Sequence, residues 1–297
     1  MAGCQVRWHH RVMKHREDRR VALVTGASRG IGKATAISLA RAGYDVAFTA
    51  RTAHEGEGVV APRLRRNGSA TLAVPGSLET TKRLIVDCGA AALPISMDLL
   101  NMDSVRAAAA TVHAKWGPVR VLVNNAIAHL PGSHDALADL ELTELKAVLT
   151  ANFAHQVVLT QAVLAGMVES GGGTIVNMSS GSATSDPPSA PSEGGWGLAY
   201  ASSKAAFGRL SGAINAEYGH LGVRAFNVDP GFVVTEAAVA RGGASRIADQ
   251  GFEVDSERAA AEVIVWLAGH EEAGRFLGKN IWSPKLAAEL GLLAHPE

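Results

Sequence analysis

Residues 21–32 read Val21-Ala22-Leu23-Val24-Thr25-Gly26-Ala27-Ser28-Arg29-Gly30-Ile31-Gly32. An aliphatic run ends in a glycine-rich turn and passes directly into an apolar-periodic stretch, residues 31–42, which Gly43 stops. A short aliphatic run with no polar alternation fits a strand buried on both faces. Glycines at a strand-to-helix turn let the backbone bend tightly and approach a pyrophosphate. The helix start then offers that anion free N–H groups and a positive dipole end. The glycines alone say little; their place between the first strand and the first helix gives them meaning.

Outward from this unit the chain keeps alternating. Strands are predicted at residues 46–48, 93–96, 119–123, 174–178 and 223–228, with a short last one near 276–282. Between them, Ser77 caps a helix that ends at Gly89, and further helices span residues 105–116, 142–168, 198–221 and 256–268. Strands alternating with helices demand parallel pairing and right-handed crossovers. The fold class is therefore α/β, one doubly wound sheet with helices on both faces. Two stretches leave the alternation. Residues 51–76 form a long connection rich in Gly, Arg and Pro, and residues 182–197 read SATSDPPSAPSEGGWG. Long loops beside the carboxyl ends of strands are where sites are built; the alternative for residues 51–76 is a disordered surface insertion.

The chain has 297 residues, 47% of them hydrophobic, and 28 acidic residues balance 28 basic ones. A formal charge of zero gives no hold on nucleic acid or on a charged membrane surface, and no apolar run approaches the ~18 residues of a membrane span. Cys4 and Cys88 make neither a disulfide framework nor a zinc pattern, so a reducing cytoplasm is expected. No histidine pair has helical metal-ligand spacing, and no metal is expected; His129 and His134, in a Pro/Gly loop beside the expected site, read as surface histidines, with substrate contact as the alternative. Residues 1–19 are basic and poor in apolar residues, a disordered tail that extends past a second start at Met13, ahead of a domain over residues 20–297.

In its motifs the chain resembles the short-chain dehydrogenase/reductase family of the classical type. Thr25, Gly26, Ser28, Arg29, Gly30, Ile31 and Gly32 lie in a match to its T-G-x-x-x-G-I-G turn. Asn124-Asn125-Ala126 is similar to its N-N-A-G, with Ile127 in place of the glycine. Asn152 falls where the family carries an active-site asparagine, Ser179-Ser180 ends the fifth strand, and Tyr200 to Lys204 reads Y-x-x-x-K. Pro230, Gly231, Val233 and Thr235 fall in a segment like its P-G-x-x-x-T loop. The resemblance covers about residues 20–268. It implies a single doubly wound Rossmann domain with a mostly parallel seven-stranded sheet, an NAD(P) cofactor, a small carbonyl or alcohol substrate, and a homodimer or homotetramer. It also implies that Asn152, Ser180, Tyr200 and Lys204 are catalytic, Asn152 anchoring a water that links Lys204 to solvent, and that Asp98 contacts adenine with Leu99 beside the ring. Ser180 fits the serine role better than Ser179, although its twenty-residue spacing to Tyr200 exceeds the usual dozen or so.

The physical reading agrees. Residues four apart share a helix face, so Tyr200 and Lys204 point into one site. A phenol ordinarily titrates near ~10, and a lysine cation about 4 Å away at an effective dielectric near 20 favours phenolate by roughly 4 kcal/mol. Ser180 would hold the substrate oxygen near the phenol. Taken singly, Asn152 reads equally as a polar helix residue and Tyr200 as a core aromatic. The second strand ends Thr49-Ala50-Arg51-Thr52 with no carboxylate for a ribose 2′-OH, so Arg29 and Arg51 are expected to pair with a 2′-phosphate and NADP(H) to be favoured over NAD(H). Val239, Ile247 and Phe252, with Trp196 and Leu198, suggest an apolar pocket under a lid over residues 236–252, hence a lipophilic substrate. The alternative function is a non-catalytic NAD(P)-binding regulator or scaffold of the same fold.

Overall fold

The computed structural model describes residues 19–68, 70–242 and 255–293. The expected basic tail, apart from Arg19, lies outside the described residues, as do Ile247 and Phe252 of the expected lid.

The first strand, β1 (Val21–Thr25), is buried throughout. Ala22 and Val24 point into one core, Val21 and Leu23 into the other. With a core on each face the strand has no wet side, which is why its sequence shows no alternation. The remaining strands are β2 (Asp45–Ala50), β3 (Val59–Val60), β4 (Leu72–Ala73), β5 (Ala92–Ser96), β6 (Val121–Asn124), β7 (Gly173–Met178), β8 (Val223–Asp229) and β9 (Asn280–Trp282). Seven pair in parallel in the order β5-β2-β1-β6-β7-β8-β9. The chain builds outward from β1 through β2 to β5, then returns to β6 on the other side of β1. That reversal opens a crevice at the carboxyl ends of β1 and β6, where doubly wound sheets bind ligands.

The helices are α1 (Gly30–Arg41), α2 (Leu78–Asp87), α3 (Met102–Trp116), α4 (Leu142–Leu149), α5 (His155–Glu169), α6 (Leu198–Tyr218), α7 (Glu236–Ala240), α8 (Glu257–Gly269) and α9 (Ser283–Glu289). Leu39 of α1, Ile85 of α2, Ile264 of α8 and Leu286 of α9 fill one core. Val112 of α3, Leu159 of α5 and Ile214 of α6 fill the other. Ser77 caps α2 as expected, its hydroxyl accepting from Thr80 N–H at 3.0 Å.

The structure departs from the sequence reading in instructive places. The helix expected over residues 142–168 is α4 and α5 joined by a π turn, Thr150–Ala154, which carries Asn152. By length and composition Leu142–Glu169 would suit a bilayer span. The sequence reading passes over it because Asn152, His155, Gln156 and Thr160 interrupt its apolar residues. Half of its most apolar window is buried in the protein, and it serves as a core helix. Residues 51–76 are a folded roof rather than a disordered insertion. Their β3–β4 pair is antiparallel. Arg29 donates to Pro75 O, Gly76 O and Thr52 Oγ1 at 2.9, 2.8 and 3.1 Å, and Arg241 donates to Ala61 O at 2.8 Å. Arg65 meets Asp135, Glu141 and Glu144. At the C-terminal end α9 sends Leu286 and Ala287 into the core against α8.

Candidate active site at the carboxyl edge of the sheet

The glycine turn is shaped by the lack of side chains. Gly26 and Gly30 sit at φ 69° and 53°, in the left-handed region that disfavours other residues. A Cβ on Gly32 would lie 2.4 Å from Gly26 O and 2.5 Å from Asn125 Nδ2, so α1 can approach the strand end only without one. Thr25 and Asn125 close the other side. Thr25 Oγ1 accepts from the N–H groups of Asn125 and Ala126 at 3.0 and 2.9 Å, and Asn125 Nδ2 donates to Thr25 O at 2.8 Å.

Whether this cradle suits a dinucleotide diphosphate can be read from what it binds already. Gly30 N–H, at the start of α1, donates to Glu236 Oε2 at 2.9 Å, and Lys33 Nζ donates to Glu236 Oε1 at 2.7 Å. Burial pushes the Glu236 carboxyl up, but the bonds from Lys33 and from backbone N–H groups outweigh it and hold it below the ordinary range. The helix start thus selects an anion, and the cradle fits a diphosphate. The segment after β8 closes over it: Gly231 has φ 72°, its N–H donates to Asp229 Oδ1 at 3.0 Å, and Val233 bridges to Asp255. Pro230 precedes that turn, and Thr235 caps α7.

At the expected adenosine end the residues divide. Arg51 is exposed after β2. Arg29 is not a free partner for a 2′-phosphate, because Nε and Nη2 are bonded to the 51–76 roof. Asp98 follows β5, its carboxylate accepting from Leu100 N–H at 3.0 Å. The Leu99 side chain is 6% exposed and belongs to the core, so it does not present the apolar surface expected beside an adenine.

The proposed chemical groups gather at the ends of β6 and β7. Lys204 lies one turn beyond Tyr200 on α6, and its Nζ donates to Met178 O, at the last residue of β7, at 2.6 Å. Ser179 is buried and Ser180 half-buried. Ser180 Oγ accepts from Ser182 Oγ at 3.0 Å at the head of a short turn, residues 181–183, that packs on α6. Both polar atoms of Asn152 are engaged by Ala128, Oδ1 accepting from its N–H at 2.7 Å and Nδ2 donating to its carbonyl at 3.1 Å. The insertion between Ser180 and Tyr200 projects outward and returns at Gly197, which lies so close to His134 that a Cβ would come within 2.6 Å of His134 Cα. Tyr200 N–H then donates to Ser133 O at 3.2 Å.

The sequence reading missed what surrounds Tyr200. His129 and His134 are not surface residues: their rings lie 5.9 and 4.8 Å from the tyrosine ring. Burial, with Arg63 and Arg241 nearby, holds His129 well below its ordinary value and His134 at about 3, so both are neutral in ordinary buffers. Their place in a loop beside the expected site was the available signal. Arg63, Arg241 and Glu236 gave none, since their roles depend on contacts across the fold. Of the expected apolar lining, Val239 and Leu198 are 54% and 47% exposed and Trp196 is half-buried.

Burial lowers the Lys204 ammonium to about 8, with Asp229 acting in the opposite sense. Relative to an ordinary lysine at 10.5, the folded chain then carries a penalty of about 3 kcal/mol below pH 8, which fades as pH rises toward 10.5. Lys204→Met removes the charge and the bond to Met178. It is expected to be more stable than the parent by about 2 kcal/mol at pH 7, the gap closing between pH 8 and 10. Thermal unfolding across that range checks this; a gap that widens with pH would overturn it.

Comparison with known proteins follows the same lines. The family model described as short chain dehydrogenase matches residues 20–84 and 59–244. A short chain dehydrogenase of Monascus purpureus is 31% identical over 282 residues, covering 90% of this chain and 82% of its own. A short-chain type dehydrogenase/reductase from Mycobacterium marinum superposes with a TM-score of 0.69 at 26% identity, over 89% of this chain and 92% of that one. A 3-oxoacyl (acyl-carrier-protein) reductase from Agrobacterium tumefaciens with NADP bound gives 0.71 at 25%, over 89% and 92%. The chain belongs to the short-chain dehydrogenase/reductase family of NAD(P)-dependent oxidoreductases.

Proposed function

We propose that the chain moves a hydride between NADP(H) and a carbonyl or secondary alcohol carbon, with Tyr200 as general acid and base. The observation that carries this reading is the Lys204 ammonium, buried one helical turn from Tyr200 and fixed at 2.6 Å on the last carbonyl of β7. A cation so placed ties the tyrosine's helix to the strand that presents Ser180. When bound, the nicotinamide supplies the hydride in reduction and accepts it in oxidation. Tyr200 gives its phenolic proton to the carbonyl oxygen in reduction and takes it from the alcohol in the reverse direction. Ser180 holds that oxygen by a hydrogen bond. Asn152 acts by position: it fixes the loop at Ala128, next to His129, while its own carbonyl accepts from Gln156 Nε2 at 3.1 Å.

Tyr200→Phe is expected to lower turnover by about a thousand-fold while cofactor binding persists. A carbonyl panel followed by the absorbance of reduced cofactor, with a parallel binding titration, tests both, and near-parental turnover would remove the proton-transfer role.

NADPH is expected to bind about ten-fold tighter than NADH through one charge-assisted contact from Arg51. Arg51→Ala should erase most of that difference, and equal affinities in the parent would count against it. Because Glu236 holds the N–H at the start of α1, a diphosphate must displace it. Glu236→Gln should therefore tighten dinucleotide binding by about five-fold, and weaker binding in a calorimetric titration would contradict that competition.

A further inference from the structure

A guanidinium drawn out of water needs an anion or full hydrogen bonding, or it destabilises the fold. Arg63 has neither among the described residues. Its Nε is sealed from solvent without a hydrogen-bond partner, and among the described residues no carboxylate is near enough to act on its charge. Arg65, two residues on in the same roof, meets three carboxylates, so the loop does not lack acids to offer. They are directed elsewhere.

The backbone places Arg63 over the site. Its carbonyl accepts from His134 N–H at 3.3 Å, and the His134 ring lies 4.8 Å from the ring of Tyr200. Ala61, two residues before it, is tied to Arg241 at 2.8 Å. Burial lowers the Arg63 guanidinium while the Tyr200 phenol acts in the opposite sense. Arg241 is lowered to about 10, by burial and then by Arg63. The Tyr200 ring thus has two neutral imidazole walls and the Arg63 charge, backed by Arg241, and no carboxylate among the described residues acts on Arg63.

We propose that Arg63, backed by Arg241, binds an oxyanion on the substrate, so that the chain acts on keto or hydroxy compounds carrying a carboxylate or phosphate close to the reacting carbon. This rests on the hydride-transfer reading above and adds the substrate class. It differs from the lipophilic expectation, of whose described members Val239 and Leu198 are exposed and Trp196 half-buried. A planar guanidinium fork suits carboxylate and phosphate oxygens alike. Fixing the anion would set the carbonyl against Tyr200, which is how a remote charge raises turnover as well as affinity.

The test compares matched pairs with NADPH: short oxo acids against their methyl esters, and a phosphorylated hydroxyketone against the free alcohol. In the parent, kcat/KM for the charged member of one pair should exceed its neutral partner by about 100-fold, and the pair that shows it tells carboxylate from phosphate. Arg63→Gln should cut that ratio to within about five-fold, and Arg63→Lys should restore part of it. Unchanged NADPH affinity reports that the variants fold. A parent ratio near one, or the same ratio in Arg63→Gln, overturns the proposal; the second outcome would assign Arg63 to the phenolate alone. If no compound in either series turns over, the hydride-transfer reading fails. The subsite is then judged by binding of inorganic phosphate or an unreactive carboxylate, read from the fluorescence of bound NADPH. Saturable quenching that Arg63→Gln abolishes supports it, and quenching identical in parent and variant sinks it.

Discussion

Thr25 and Asn125 hold the carboxyl ends of β1 and β6 together, and the rest of the site hangs from that junction. Thr25 Oγ1 donates to Val123 O at 3.2 Å and accepts two N–H groups from the turn after β6. Asn125 reaches back to the carbonyls of Thr25 and Gly26. These bonds satisfy backbone groups that a strand-order reversal would otherwise leave unpaired. They also set the width of the crevice. The glycine turn, the start of α1 and the loop that Asn152 fixes through Ala128 all take their positions from it.

How much of this was legible in the sequence depends on the range of the interaction responsible. The parallel sheet followed from local signals: aliphatic runs, the Ser77 cap, and glycines at strand and helix ends. Tyr200 and Lys204 stand out because a motif fixes their offset, and Ser180 because it ends a strand. The roof was not, because what orders it joins distant residues. Arg29 reaches Pro75, Arg65 reaches Glu144, and Arg241 reaches Ala61 from the far side of the chain. A Gly/Arg/Pro-rich stretch looks the same whether or not such partners exist. Leu99 misled for the opposite reason. It neighbours a motif that suggested exposure, while its apolar side chain had a better place in the core. The π turn at Asn152 leaves no mark on a periodicity that continues on both sides of it.

The charges in the site divide by whether they can change. Arginine stays protonated at any pH the fold meets, so Arg63 and Arg241 are fixed charges and can position an anion without exchanging its protons. The histidines, buried between them, are held neutral and contribute ring surface rather than charge. Lys204, lowered to about 8 and tempered by Asp229, is the cation of the group that titrates close to neutrality. Tyr200 lies between fixed charge on the roof side and adjustable charge on the strand side. Keeping these cations together opposes folding, which explains why the roof is anchored outside the site. Arg65 with Asp135, Glu141 and Glu144 forms a network of both signs, partly exposed and clear of the phenol. Networks of this kind hold geometry better than isolated surface pairs. Arg63, two residues away, then has no counter-ion among the described residues, and the proposed substrate anion would supply one.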